Sequence, residues 1–235
     1  MKLTINQLSS IHSTADVPSI TLEETAVTIT LRGFEPGTRA ALVISECQRG
    51  VVEVGRSPFE GLAGQVHARG IVPRIAELAA AFRAARMPVV HAWVAHRPDY
   101  TDVARTSMLM ARSAKTGFMQ ACSVEVEPVP GLEAHPEDHI LARRFSINAF
   151  NGTDLDATLR HLGVKTLVLA GVSSNVAINS MAISGADFGY QVLVPEDCIA
   201  GATAESHAFM VSQLLPLYAT VTRQSVVIAA LQSPA

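Results

Sequence analysis

The chain has 235 residues, 49% of them hydrophobic and 17% charged, with a formal net charge of −3 from 18 basic and 21 acidic side chains. The length suits one large domain, and the apolar share excludes an intrinsically disordered chain. No basic field is present to attract nucleic acid, and the longest apolar runs fall far short of the roughly 18 residues of a membrane span, so both partner classes are set aside. Residues 1–16 lack the pattern of a signal peptide. Cys47, Cys122 and Cys198 are spaced for neither a disulfide framework nor a zinc site. A cytoplasmic protein with free thiols is expected.

Residues 1–38 read as an N-terminal extension. Stretches 20–22 and 26–31 alternate as short strands do, and Gly33, Pro36 and Gly37 mark a turn. From residue 39 to the end the pattern becomes alternating strand and helix, read as one domain, 39–235. Residues 40–44 form an apolar run without a period of two, the signature of a strand buried on both faces of a parallel sheet. A long loop is expected through Pro58 and Gly64. Ile71, Ile75, Leu78, Ala79 and Phe82 then recur at helical spacing over 71–86. Residues 88–94 give a second strand, and 97–136 an irregular insertion of the size that often carries function. Strands follow at 139–142, 165–171, 191–195 and 219–222. Helices are expected from Thr153, a plausible N-cap, to Gly163, over 175–188, over 203–215 and over 225–232. The result is an α/β fold: a three-layer α/β/α sandwich with a Rossmann-like, mostly parallel six-stranded sheet. Ligands of such sheets bind at the carboxyl ends of the strands.

Those strand ends carry a resemblance. Leu42-Val43-Ile44-Ser45-Glu46-Cys47-Gln48 resembles the first motif of the isochorismatase-like (cysteine) hydrolases, an apolar strand ending in Asp, an apolar residue and Gln. Asn148-Ala149-Phe150-Asn151-Gly152-Thr153-Asp154-Leu155 is similar to the family's Ser-Ala-Phe-x-Gly-Thr-x-Leu segment, and Gly171-Val172-Ser173-Ser174-Asn175-Val176-Ala177 to its Gly-Val-x-x-Asn-x-Cys turn. The likeness runs from about residue 39 to 227. It implies a catalytic Asp, Lys and Cys, and all three are changed. Glu46 stands for the Asp. Arg144, nine residues before Thr153, stands for the Lys. Ala177 stands for the Cys and can contribute only its backbone.

Alanine offers no nucleophile, so a covalent thioester at 177 is impossible. Cys47, next to Glu46 on a strand, points to the opposite face. What remains is Glu46 as general acid or base and Arg144 as holder of an anionic group or developing charge. The helix opening at 173–177 supplies backbone N–H groups, and the family's non-proline cis peptide would fall at Val172-Ser173. His96, Asn148, Phe150, Ser173 and Ser174 are expected to contact substrate, and Asn175 to cap the helix. No histidine follows the first strand in the Asp-x-His pattern of zinc-dependent relatives, so no metal and no cofactor are expected. The implied activity is hydrolysis of a small, anionic substrate without a cysteine, as in family members that split a vinyl ether. The competing reading is an inactive relative that binds a small acid or a protein partner. Homo-oligomers (dimer or tetramer) are common in the family.

Overall fold

A computed structural model describes residues 31–232. The strand expected at 20–22 lies outside the described residues, as does the one at 26–31 except for Leu31, which forms no strand. Among the described residues, seven strands form one sheet: β1 (Ala40–Ser45), β2 (Val89–Val94), β3 (His139–Arg143), β4 (Thr166–Val172), β5 (Gln191–Pro195), β6 (Ile199–Ala200) and β7 (Thr220–Thr222). The order is β3-β2-β1-β4-β5-β7, with β6 beside the end of β4, and every pairing is parallel. The α/β class is as expected. The extra strand, β6, has two residues and gives no periodic signal of its own.

Among the described residues, eight α-helices cover the sheet: α1 (Arg49–Val52), α2 (Glu60–Arg69), α3 (Ile71–Ala84), α4 (Met108–Thr116), α5 (Leu155–His161), α6 (Asn179–Asp187), α7 (Ala204–Phe209) and α8 (Gln224–Gln232). Two of them correct the sequence reading. The loop expected through Gly64 contains α2, and the irregular insertion contains α4, capped by the Ser107 hydroxyl accepting from the Met110 N–H. Gly64 in mid-helix and the polar residues of α4 masked both. The helix over 71–84 is as read, with its whole apolar stripe buried.

The core has two halves because β1 is buried on both faces. Leu42 and Ile44 pack with Ile71, Ile75, Leu78 and Phe82 of α3 and Val227 of α8. Ala41 and Val43 pack with Leu155 and Leu159 of α5 and Met181 of α6. Alternate side chains of a strand face opposite ways, so one apolar run serves two helical layers. Leu31 and Phe34 pack against the first half, and Thr166 donates its hydroxyl to the Gly33 carbonyl at 2.7 Å. The last residues of the expected extension are therefore part of the folded body.

A buried ion cluster ties β3 to its neighbours. Arg83 of α3 clasps Asp138 through two hydrogen bonds of 2.6 and 3.0 Å, and His91 of β2 bonds the same carboxylate at 3.0 Å. Burial pushes the Asp138 carboxyl up, but the hydrogen bonds from Arg83, the His135 N–H and His91 outweigh it and hold the group down at about 2. A carboxyl lowered by folding stabilises above its unfolded value near 4, and that contribution is lost as pH falls through the folded value. About 2 kcal/mol should therefore disappear between roughly pH 4 and pH 2. Denaturant titrations across that range check this. In Asp138→Asn the same interval should show a markedly flatter loss.

Candidate active site

The order 3-2-1-4-5 places the topological switch between β1 and β4, where crossovers leave in opposite directions and open a crevice at the carboxyl ends. Glu46 follows β1 directly. Its φ is 52°, in the left-handed region, and its N–H donates to the Ala92 carbonyl at 3.1 Å. Two residues on, the buried Gln48 amide donates to the Val94 and Val126 carbonyls and accepts from the Val94 N–H, which fastens this turn to the end of β2. The Glu46 carboxylate is left on the wall of a cavity of about 430 Å³.

The cation paired with Glu46 is Arg143, not Arg144. Strand alternation in β3 buries Leu141 and Arg143 and turns Ile140, Ala142 and Arg144 outward. The Arg143 side chain is 1% exposed. Its guanidinium makes a salt bridge to Glu46 and donates to the Ile147 carbonyl. Arg144 is exposed, and only its backbone carbonyl reaches inward, accepting from His96 Nδ1. Counting back from Thr153 selects the wrong neighbour, because a shift of one residue exchanges the faces of a strand. That carbonyl can only accept, so His96 carries its proton on Nδ1 when neutral and keeps Nε2 as an acceptor. His96, like Glu46, lines the cavity.

On the β4 side the chain passes through a cis peptide at Val172-Ser173 into a π-helical turn, Ser174–Ile178. Ser173, Asn175, Val176 and Ala177 of this segment line the cavity. Ala177 is buried, with its methyl where the resemblance expects a thiol. Ser174 is buried outside the lining, and Asn175 is no helix cap: its Oδ1 accepts from the Ala202 N–H at 3.3 Å.

Asn148 and Phe150 are not at the cavity. The Asn148 amide donates to the Ser180 carbonyl and the Ser184 hydroxyl at 3.0 and 2.7 Å, which pins the loop after β3 onto α6. Phe150 stacks on Tyr190 in the core and meets the exposed Phe188 ring at a tilt. Ser146 and Ile147, just upstream, line the cavity instead. The rest of the wall comes from segments with no motif: Phe59 and Glu60 at the start of α2, Leu109, Met110 and Ser113 of α4, and Phe118 and Met119 after it. For the α4 segment the only signal was the length of the insertion, and Phe59 and Glu60 fall in the stretch read as a loop.

Among the described residues, no cysteine, lysine or arginine lines this cavity, and no three His, Cys, Asp or Glu side chains converge to hold a metal ion. Cys47 packs in the core. Burial, with the adjacent Glu46 charge, pushes its thiol up to about 12. Burial likewise raises the Cys198 thiol, and Cys122 is exposed elsewhere. Arg143 spends its charge on Glu46, and among the described residues no lysine or arginine lines the cavity to hold an anionic substrate. The anion-holding role expected for Arg144 is overturned.

The isochorismatase domain family matches residues 40–225. The chain belongs to the isochorismatase family. Within it, the chain is 30% identical over 184 residues to the uncharacterized isochorismatase family protein YecD of Escherichia coli O157:H7, covering 77% of this chain and 90% of that one. It is 31% identical over 149 residues to the ureidoacrylate amidohydrolase RutB of Methylobacterium radiotolerans, covering 58% of this chain and 57% of that one. An isochorismatase family protein from Desulfovibrio vulgaris superposes with a TM-score of 0.74 at 27% identity, covering 83% of this chain and 100% of that one. The isochorismatase fold is thus shared along nearly the whole described body.

The position of Ala177 leads to a direct expectation. Ala177→Cys should leave the fold intact, with stability changed by no more than about 1 kcal/mol, because the added sulfur projects into open cavity space and not into packed core. With a small alkylating reagent, the parent should show one fast-reacting thiol, Cys122, and the variant a second. Unfolding of the variant, or an unreactive new thiol, would show that residue 177 does not face the cavity.

Proposed function

We propose that this isochorismatase family member is a hydrolase that works without a covalent sulfur intermediate, with Glu46 as the proton-transferring group. The observation that carries this reading is the Glu46 carboxylate on the wall of a cavity with no thiol in its lining, braced from behind by Arg143. A carboxyl group in that position can hand a proton to the substrate and recover one from water. The bond broken is C–O or C–N. Water supplies OH to the carbon and, through Glu46, H to the departing fragment. In a vinyl ether the first proton goes to the enol carbon, and no nucleophilic side chain is needed. Arg143 is a positioning residue: its fork fixes the carboxylate while holding the Ile147 carbonyl. Among the lining residues, Ser173 and the Nε2 of His96 offer polar groups to orient the reacting bond and the water. The amidohydrolase among the relatives supports hydrolysis as the reaction class.

The methyl of Ala177 also favours a second reading, a relative that binds a small molecule without turning it over. A panel of vinyl ethers, esters and amides offered to the purified protein separates the two. Turnover of at least one member should fall at least 100-fold in Glu46→Gln, which keeps an acceptor for Arg143 but cannot carry a proton. Absence of turnover across the panel, or undiminished turnover in the folded variant, would sink the catalytic reading.

A further inference from the structure

One wall of the cavity rests on a buried junction that the hydrolase reading leaves unused. We propose that His207 of α7 is a positioning residue of the site: with the Ser174 hydroxyl behind the wall, its imidazole sets the conformation of the π-helical turn Ser174–Ile178 that presents Asn175, Val176 and Ala177 to the cavity. The inference rests on the same cavity as the hydrolase reading and adds a residue that is not on its lining.

Three observations carry it. The first is the meeting of three lining elements. Gly61 of α2, Ala202 after β6 and Asn175 of the turn all line the cavity. The Ala202 N–H donates to Asn175 Oδ1 at 3.3 Å, and a Cβ added at Gly61 would lie 2.9 Å from the Ala202 carbonyl oxygen. One residue back, a Cβ added at Gly201 would lie 2.8 Å from Ser174 Oγ and 3.0 Å from the His207 backbone nitrogen. The Ser174 side chain and α7 therefore both press on residue 201, and close-packed groups pass displacements to one another.

The second is a group of unanswered polar atoms. His207 is 4% exposed and Ser174 is fully buried. Both ring nitrogens of His207 and the Ser174 hydroxyl are sealed from solvent, with no hydrogen-bond partner among the described residues. Buried polar groups are nearly always paired. A neutral imidazole and a hydroxyl each offer a donor and an acceptor, so the two are complementary, and a single enclosed water is enough to join them.

The third is charge. Neither the turn nor the segment 210–214 packed on α7 carries a titratable side chain. The charged groups that act on His207 are Arg69 of α2 and Glu196 after β5, while Glu205, on its own helix, is exposed. Arg69 donates to the Ile199 and Glu196 carbonyls at 3.2 and 3.0 Å and reaches the Glu196 carboxylate at 3.4 Å. Burial first, and then the Arg69 charge, hold the His207 imidazolium below the ordinary value of 6.5, with Glu196 opposing. A histidine lowered by folding stabilises above its unfolded value, and that contribution is lost as pH falls toward the folded one. Protonation turns the ring's one acceptor into a second donor beside Arg69, so acidification should disturb the turn along with the helix.

The test is an NMR titration of the full-length protein that follows the His207 ring and the backbone amides of the turn together. The ring should titrate below the ordinary histidine midpoint, and the Asn175 and Ala177 amides should shift with the same midpoint. A second measurement uses the thiol introduced by Ala177→Cys, whose alkylation rate reports the shape of the wall. In that background, Ser174→Ala and His207→Leu should each change the rate about fivefold or more, and the two together no more than the larger single change, as for groups that act as a pair. His207→Gln, which keeps a donor and an acceptor, should restore the rate to within about twofold. A His207 with only a structural role would lower Tm when replaced and leave the amide midpoints and the rate pattern unmoved. That outcome, additive rate changes, or a ring that titrates at or above the ordinary midpoint would overturn the proposal, and the titration depends on no variant. Neither measurement uses turnover, so the two readings fail separately. A coupled His207 in a protein that hydrolyses nothing removes only the catalytic reading. Turnover through Glu46 with an uncoupled His207 removes only this one.

Discussion

Arg143→Ala should destabilise the protein by about 3 kcal/mol, whereas Arg144→Ala should stay within about 0.5 kcal/mol of the parent. Removing the Arg143 guanidinium leaves the largely sheltered Glu46 carboxylate without its counter-charge and strips a donor from the Ile147 carbonyl. Breaking a buried pair on one side costs several kcal/mol because the surviving charge has lost both water and partner. We take the low end of that range, because the Glu46 side chain is 19% exposed and water in the cavity can partly solvate it. For a domain of this size the loss corresponds to a fall of roughly 6–12 °C in Tm. Arg144 contributes only its main-chain carbonyl to the interior, and truncation keeps that atom. Arg143→Lys should fall between the two, since it restores charge but cannot reach both acceptors at once. Equal Tm values for the two alanine variants would show that the pairing is misassigned.

Gly171→Ala should have a still larger effect, about 4 kcal/mol or more, enough to deplete soluble protein. Gly171 sits where the last turn of β4 meets both β1 and β6, with register partners Ser45 and Ile199. Its φ is +101°, a region closed to side chains, and an added Cβ would lie 2.2 Å from the Ser45 carbonyl oxygen. Both obstacles are backbone, so no rotamer change relieves them, and relief would separate the strands that carry Glu46 and Ser173. Gly64→Ala supplies the opposite sign. Gly64 lies in the interior of α2, exposed, with nothing within 4 Å of an added Cβ, so alanine should stabilise by about 0.5–1 kcal/mol. Soluble yield and denaturant midpoints of the two variants check the pair. A Gly171→Ala protein as stable as the parent would contradict the close strand approach.

The contrast between these glycines shows how unevenly the sequence can be read. Gly171 was legible as part of a motif, because the residues around it recur as a fixed string at a strand end. Gly64 misled, because glycine in a polar stretch looks like a loop when tertiary burial of Leu62, Ala63 and Val66 is what holds α2. The helix α3 was legible because one stripe of five apolar residues leaves only one way to bury them. Asn148 and Phe150 were legible as motif residues but not in their role. The motif marks a loop anchored to α6 and the core, and only the cavity-facing residues just before it, Ser146 and Ile147, reach the site.

By itself, the sequence determined the α/β class, the strand ends that bear Glu46 and Ala177, and the alanine at the position where the resemblance expects a thiol. These follow from periodicity and from local strings, which are properties of neighbours along the chain. Only the tertiary structure decided that Arg143 and not Arg144 meets Glu46, that two phenylalanines and α4 wall the cavity, and that no lysine or arginine lines it among the described residues. Each of those depends on the face a side chain occupies and on segments 50 to 100 residues apart, and a one-residue change of face is invisible until the strands are paired.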